Sequence, residues 1–536
     1  MATLAAAGTD GIWSALRNRG FRSLWCASIA INLTIWMQSV AAAWLMVSLT
    51  PSPLMVALIQ TATALPSFLF ALPSGVMADL VDRRRYLMTV LGCMVLSALA
   101  LCLCALGGGL GPWLLLFLTF CLGIGFALQG PAWYTAQTDS VARAMLPSAL
   151  ALSALSYSAA RAVGPALAGA MVSGLGVMAV FGLAALLLCV AWLVLLRWDN
   201  PKHSSQLPPE NLASGMFSVL RYVRHSDVMR VQILRTVLFV GAASSLWALL
   251  PLLAGPKVGG GAGAYGLLLG SLGIGSMAGA LIMPKLKDRI EMNRLMEWSV
   301  VLYALAMLAC AYVPNLAVMC AALVLAGMGW LCVGNTNMLA MQSAVPSWIR
   351  ARVLAVYMLT FQGAMATGSA FWGLVADRIG ATPALACCAV LMLPVLLVMR
   401  RFPARMGDET EVTQAEGLLA LAPMVAAPAT DAVVAVQITY QVEPARREEF
   451  LRQAYAIGKV RRRDGASMWR IYRDLDGDGR YIERFLVDSW SQYLRQRSRA
   501  TMADMAAEQR LRAMHSGSAE PQLAHFVSEA EPQAAA

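Results

Sequence analysis

A chain that avoids charge for dozens of residues places Asp79, Asp82, Arg83, Arg84 and Arg85 together in "GVMADLVDRRRYL", residues 75–87. Carboxylates beside guanidiniums form ion-paired latches. An Asp at the C-terminal end of an apolar helix meets the negative pole of its own dipole and stays ionised only against opposing cations or a neighbouring helix N-terminus. Such a contact makes or breaks when packed helices rock. The plainer alternative is a solvated cluster that merely orients the chain, but that needs only the arginines and has no use for Asp79. Asp139 and Arg143 form a second, smaller pair of the same kind beyond the fourth apolar run.

Arg161 is the other conspicuous group, a cation near the middle of the fifth apolar run. A cation at bilayer depth costs at least ~2.5 kcal/mol, so it faces a water-filled cavity or a partner. It either binds an anionic or hydrogen-bonding group or caps backbone carbonyls beside Gly164 and Pro165. Polar residues able to share its cavity are Asn32, Gln38, Gln60, Gln129, Asn335, Asn337 and Gln362, among aromatic walls such as Trp36, Trp133 and Tyr157. For each polar residue alone an interhelical hydrogen bond is the plainer expectation, and it is as a set that they point to a cavity. Carboxylates are nearly missing from the apolar runs, with Asp79, Asp139, Glu297 and Asp377 at or near their ends.

The elements that must position these groups follow from composition. Of 536 residues 59% are hydrophobic and only 13% charged, against roughly a quarter charged in a soluble domain. Apolar runs of about 20 residues recur, each long enough for a helix to cross a ~30 Å hydrocarbon core. Twelve are expected, at 22–48, 54–76, 87–107, 112–136, 149–172 and 175–197, then 229–254, 264–284, 292–313, 315–340, 352–376 and 381–400. The first run is too long for a signal segment and is expected to be retained. The expected domains are a six-helix half (1–200), a linker (201–228), a second six-helix half (229–401), a second linker (402–430) and an accessory domain (431–530). Lys and Arg fall in alternate loops, which places both termini in the cytoplasm and makes the net charge of +11 mainly an orientation signal rather than a nucleic-acid footprint. The 11 cysteines lack metal-ligand spacing and read as packing residues. No phosphate-binding glycine loop marks an ATP-driven pump.

Gly75, Asp79, Arg84 and Arg85 stand at the spacing of the loop signature of the major facilitator superfamily, with Leu80 and Asp82 replacing a basic residue and a glycine. "ADLVDRRR" resembles the version found in the branch of bacterial siderophore exporters of the enterobactin-exporter type, the transmembrane secretion effectors. Residues 130–169 resemble the same branch, and Gly164-Pro165 resembles the Gly-Pro of an exporter-associated fifth-span motif, here with Ala160 and Ala168 where glycine is frequent. The fourth-span signature lacks its usual arginine. The resemblance implies a gate at Gly75, Asp79, Asp82, Arg83, Arg84, Arg85, Asp139 and Arg143, and a hinge at Gly164 and Pro165. It also implies export of an amphipathic small molecule, such as a siderophore, drug or secondary metabolite, across the bacterial inner membrane by proton antiport. The expected partners are that substrate, protons and the lipid bilayer, with no nucleic acid, metal or cofactor.

After residue 430 the pattern changes. Strand-like alternation at 432–442, helical periodicity at 443–460, two strands around "DLDGDG" (474–479), a helix near 489–512 and a strand at 523–529 make a β-α-β-β-α-β order, as in ferredoxin-like α+β domains. "RRRDGA" at 461–466 resembles the tail of the same branch. "DLDGDG" matches the start of a calcium loop, but Phe485 stands where its bidentate Glu belongs, so a hairpin turn is expected. A homodimer through this domain is a further expectation. Two rivals to export stand: import of a small anionic solute anchored by Arg161, and a membrane-anchored sensor or redox protein acting through the tail.

Overall fold

The computed structural model describes residues 12–142, 145–198, 221–255, 260–413 and 432–529. Most of both expected linkers, at 201–220 and 414–431, thus lies outside the described residues. Twelve long helices dominate what is described: α1 (Arg19–Leu49), α2 (Pro53–Leu80), α3 (Arg83–Leu106), α4 (Pro112–Asp139), α5 (Leu146–Leu175), α6 (Val177–Leu196), α7 (Asp227–Leu253), α8 (Ala262–Lys287), α9 (Met292–Tyr312), α10 (Leu316–Ser343), α11 (Ser347–Ile379) and α12 (Ala381–Arg401). Eleven of these are long and apolar enough to cross a membrane. The twelfth, α5, is diluted by Ser148, Ser153, Ser156, Ser158, Arg161 and Ser173. Backbone self-satisfaction explains why helices are the element used: hydrocarbon offers no partner for an open N–H or C=O.

Both six-helix halves end alike. A single glycine, Gly176 at φ 84° and Gly380 at φ 90°, joins the fifth helix of each half to the sixth. Only glycine occupies that region without strain, so each connection is one residue long.

Close approach between helices depends on missing side chains. A Cβ on Gly169 of α5 would lie 2.8 Å from Gly266 Cα of α8, so the two backbones touch. Without a hydrophobic drive between helices in lipid, such small-residue contacts supply the packing. Helix α2 meets α11 through Thr61 Oγ1, which donates to Ala366 O (3.0 Å), and through Ser52 Oγ, which donates to Asp377 Oδ1 (2.7 Å). These ties between halves lie on the parts of α2 and α5 remote from the loops that follow α2 and α4.

Chain contacts separate a second unit, made of 208–233, 338–354 and 405–536, from the rest. Its sheet holds β1 (Val434–Gln441), β2 (Arg470–Arg473), β3 (Arg480–Val487) and β4 (Gln522–Val527), all antiparallel in the order β2-β3-β1-β4. Helices α13 (Arg447–Asp464), α14 (Trp490–Arg499) and α15 (Met502–Arg512) accompany it. The single helix expected near 489–512 is two, because Thr501 and Asp504 form a reciprocal capping box that starts α15 anew. The "DLDGDG" stretch joins β2 to β3, with Gly479 at φ 75° and Asp474 paired to Arg480 at 3.3 Å.

The "RRRDGA" residues have separate tasks. Arg461 is buried, 3.5 Å from Glu483 and 3.3 Å from Glu508. Arg462 stacks on Trp469 at 5.3 Å. Arg463 pairs with Asp464 and with Asp504 (2.6 Å) and lies 5.5 Å over Tyr222, which precedes α7. Gly465 ends α13 at φ 131°. Glu483 also accepts from Trp469 Nε1 (2.9 Å) and Tyr440 Oη (3.2 Å). Burial alone would raise the Glu508 carboxyl, but Arg461, Arg497 and Arg512 hold it at about 2.

Two outcomes follow for the purified full-length protein. Gly169→Leu should lower stability by roughly 1–3 kcal/mol through forced separation of α5 and α8, whereas Gly174→Ala, where a Cβ meets nothing within 4 Å, should not; thermal unfolding in detergent reads the difference. Glu508→Gln should destabilise the tail by about 3–5 kcal/mol, since it strands buried guanidiniums. Because folding lowers this carboxyl from its ordinary 4.5 to about 2, its contribution is complete above about pH 4.5 and fades as pH falls towards 2. Tail unfolding followed from pH 6 to pH 2 should steepen over that window in wild type and flatten in Glu508→Gln.

Candidate substrate cavity

Between the halves lies a cavity of about 350 Å³, within the range of sites that enclose a small organic molecule. Its wall is drawn from α1, α2, α4 and α5 of the first half and α7, α8, α10 and α11 of the second. Of the residues expected to share it, Trp36, Gln38, Gln60, Tyr157, Arg161 and Gln362 do line it. The remaining expected residues do not lie on the cavity wall. Asn32 donates to Ser156 Oγ (3.1 Å), a tie between α1 and α5. Gln129, Trp133 and Asn337 are buried, and Asn335 is exposed.

Arg161 sits beside two indoles, its Cζ 5.6 Å from the Trp36 ring centroid and 5.5 Å from that of Trp247. Those rings are themselves 6.2 Å apart, and Trp247 continues into Trp330 (5.5 Å) and Phe361 (5.6 Å from Trp330). Cation–π contact on a desolvated ring is worth ~2 kcal/mol, so two faces offset much of the guanidinium's cost of leaving water. The planar edge is served differently: Arg161 Nε and Trp36 Nε1 are buried with no hydrogen-bond partner, as are Thr119 Oγ1 and both amide atoms of Gln38. Among the described residues, no Asp or Glu lines the cavity.

Trp247 and Trp330 escaped the sequence reading. A Trp in an apolar run carries no periodic signal that separates a cavity wall from packing, and only the tertiary fold brings Trp247 to Arg161 and Trp330 to Trp247.

The hinge candidates lie beside this stack. A Cβ on Gly164 would lie 2.8 Å from Trp36 Cβ, so its absence lets α1 and α5 close on one another. Pro165, one residue on, removes the N–H that would serve Arg161 O, and Gly273 of α8 approaches that carbonyl, where a Cβ would lie 2.7 Å from it.

At the opposite end of α2, the gate candidates divide. Gly75 and Asp79 belong to α2, but their side chains, and Arg143 altogether, lie outside the described residues. Asp82 caps α3, its Oδ1 accepting from Arg85 N (2.9 Å), which explains an acid where a loop signature would place glycine. Arg83 pairs with Asp139 Oδ2 at 2.6 Å. Arg84 donates to Leu196 O at the end of α6. These contacts bind the start of α3 to the ends of α4 and α6 within the first half.

Two pseudo-repeated six-helix halves around a central cavity define a transporter of the major facilitator type. The profile of the transmembrane secretion effectors matches residues 10–533, and the chain belongs to that family. It is a multi-pass membrane transport protein, not an enzyme. It is 21% identical over 360 residues to the Staphyloferrin A transporter of Staphylococcus aureus (strain NCTC 8325 / PS 47), covering 66% of this chain and 89% of that protein. Among solved structures, a point mutant of the nucleoside transporter NupG superposes with a TM-score of 0.61 at 12% identity, covering 72% of this chain and 100% of that one. An autoinhibited peptide transporter of the POT family gives 0.59 at 13% identity, covering 73% and 98%. At these identities the likeness establishes the fold.

The Arg83–Asp139 pair is partly exposed, with side chains 21% and 28% accessible, so its coupling should be modest. A double-mutant cycle of Arg83→Gln and Asp139→Asn on thermal unfolding should return about 0.5–1 kcal/mol; a coupling near zero would remove the pair as a structural tie.

Proposed function

We propose that this protein is a secondary active exporter of an amphipathic small molecule, a siderophore or similar secondary metabolite, working by alternating access across the bacterial inner membrane. The observation that carries the proposal is the central cavity: aromatic walls, sparse polar handles and one cation, built jointly by both halves. A rocking motion of two halves about such a site exposes it to each side in turn. The family's secretion description and the likeness to a siderophore transporter support outward transport and that class of cargo. Basic residues in alternate loops support cytoplasmic termini. With that orientation, the ties of α2 to α11 and α5 to α8 close the outer end, the arrangement in which an exporter loads from inside.

The gate is proposed at the α2–α3 loop, where Asp79 at the helix end and Arg83–Arg85 would change partners as the halves rock. Energy is proposed to come from the proton gradient. The cavity wall holds no carboxylate among the described residues, so the exchanging group is assigned to the gate, with Asp139 opposite Arg83 as the candidate. The tail is proposed as an accessory domain, and its fold alone assigns it no chemistry.

Inverted membrane vesicles test this directly. Wild type should accumulate a hydroxamate, catecholate or carboxylate siderophore when the lumen is acidified. Asp139→Asn should lose the dependence on the pH gradient, and Arg161→Ala should lose uptake at least tenfold. Transport found only in right-side-out vesicles would establish import instead.

A further inference from the structure

The groups around Arg161 specify the charge of the cargo. Trp36 Nε1 and the Arg161 guanidinium only donate hydrogen bonds, and both present buried N–H groups without partners at one wall of the cavity. Gln38 and Thr119, also unpartnered, add donors and adapt to what is bound. Among the described residues the wall carries one positive charge and no negative one. A buried donor left unmade costs ~1–3 kcal/mol, more when charged, so the site favours a ligand with an excess of acceptors. The two indoles stand within cation–π range of the guanidinium and side by side, their centroids 6.2 Å apart; π faces accept no in-plane N–H···O bond, so the donor edge is left for a two-oxygen acceptor. That geometry suits a carboxylate. The remaining wall, with Tyr157, Trp330 and Phe361, suits a flat apolar body.

We infer that the cavity is an anion site, and that the transported species binds as an aryl or other flat-bodied carboxylate whose oxygens chelate the edge of Arg161 beside Trp36 and Trp247. This rests on the transporter reading and narrows it, because it excludes amphipathic cations from the cargo class. It also supplies a link between occupancy and motion. Trp36 and Arg161 belong to the first half and Trp247 to the second, so the stack joins the halves. An anion neutralising the guanidinium weakens its attraction for the ring faces, and with it that tie.

Binding to purified full-length protein in nanodiscs separates this inference from the direction and coupling of transport. Three probes of matched shape are titrated calorimetrically: naphthalene-2-carboxylate, the neutral naphthalene-2-carboxamide and the cationic naphthalen-2-ylmethylammonium. The carboxylate should bind at least about tenfold more tightly than either of the others, and added salt should weaken it. Arg161→Gln should erase the preference for the acid over the amide, and Arg161→Lys should keep part of it without the chelating geometry. The wild-type ranking stands as a test even if a variant misfolds. Equal binding of the three, tighter binding of the cation, no binding of the acid, or an acid preference that survives Arg161→Gln in a folded variant would each overturn the inference. Proton-driven export of a neutral or cationic compound would leave the transporter reading intact while the anion site fell.

Discussion

Hydrocarbon offers no hydrogen bonds, and the membrane part of this protein is arranged around that fact. Its backbone is helical because helices pair their own N–H and C=O groups. Its scattered hydroxyls turn back on their own helices, as Thr34 does to Ala30 O, Ser97 to Cys93 O and Thr367 to Gly363 O. Several of the groups left unpaired, on Arg161, Trp36, Gln38 and Thr119, belong to residues that line the cavity shared by both halves.

Helix α5 carries most of the consequences. It alone of the twelve long helices falls short of the apolarity of a membrane span, because it holds the serines, the cation and the small residues at once. Gly164 lets it close on Trp36 of α1, and Gly169 lets it touch Gly266 of α8. The same helix therefore packs against its own half, ties that half to the other and presents Arg161 to the cavity. Its low hydropathy records three jobs on one segment.

The tail depends on a different interior. Glu483 and Glu508 are buried with Arg461 and Arg497 in a core otherwise made of Val436, Ile438, Tyr440, Phe450 and Phe485. Such a network is costly to bury and strict once formed, since removing one charge leaves its buried partners uncompensated. Arg463 extends it to Tyr222, and Lys459 lies 3.9 Å from Asp227 at the start of α7. A domain held by paired charges and a membrane segment held by glycine contacts answer to different solvents.

Much of the architecture was legible in the sequence. Run lengths mark twelve helices, because crossing hydrocarbon demands a continuous apolar stretch, and alternation marks the strands of the tail, because one face of that sheet is buried. The break between α14 and α15 was missed, since Thr501 and Asp504 act as a cap only once the chain bends there. Arg161 stood out by its cost alone, and Gln38, Gln60, Tyr157 and Gln362 were found with it. Asn32, Gln129, Trp133, Asn335 and Asn337 share their composition but face elsewhere. Period and hydropathy are local and belong to the sequence by itself. Which face of one helix meets which face of another, and so the meeting of Trp36, Arg161 and Trp247, depends on crossings between segments more than 80 residues apart, and only the tertiary structure decides it.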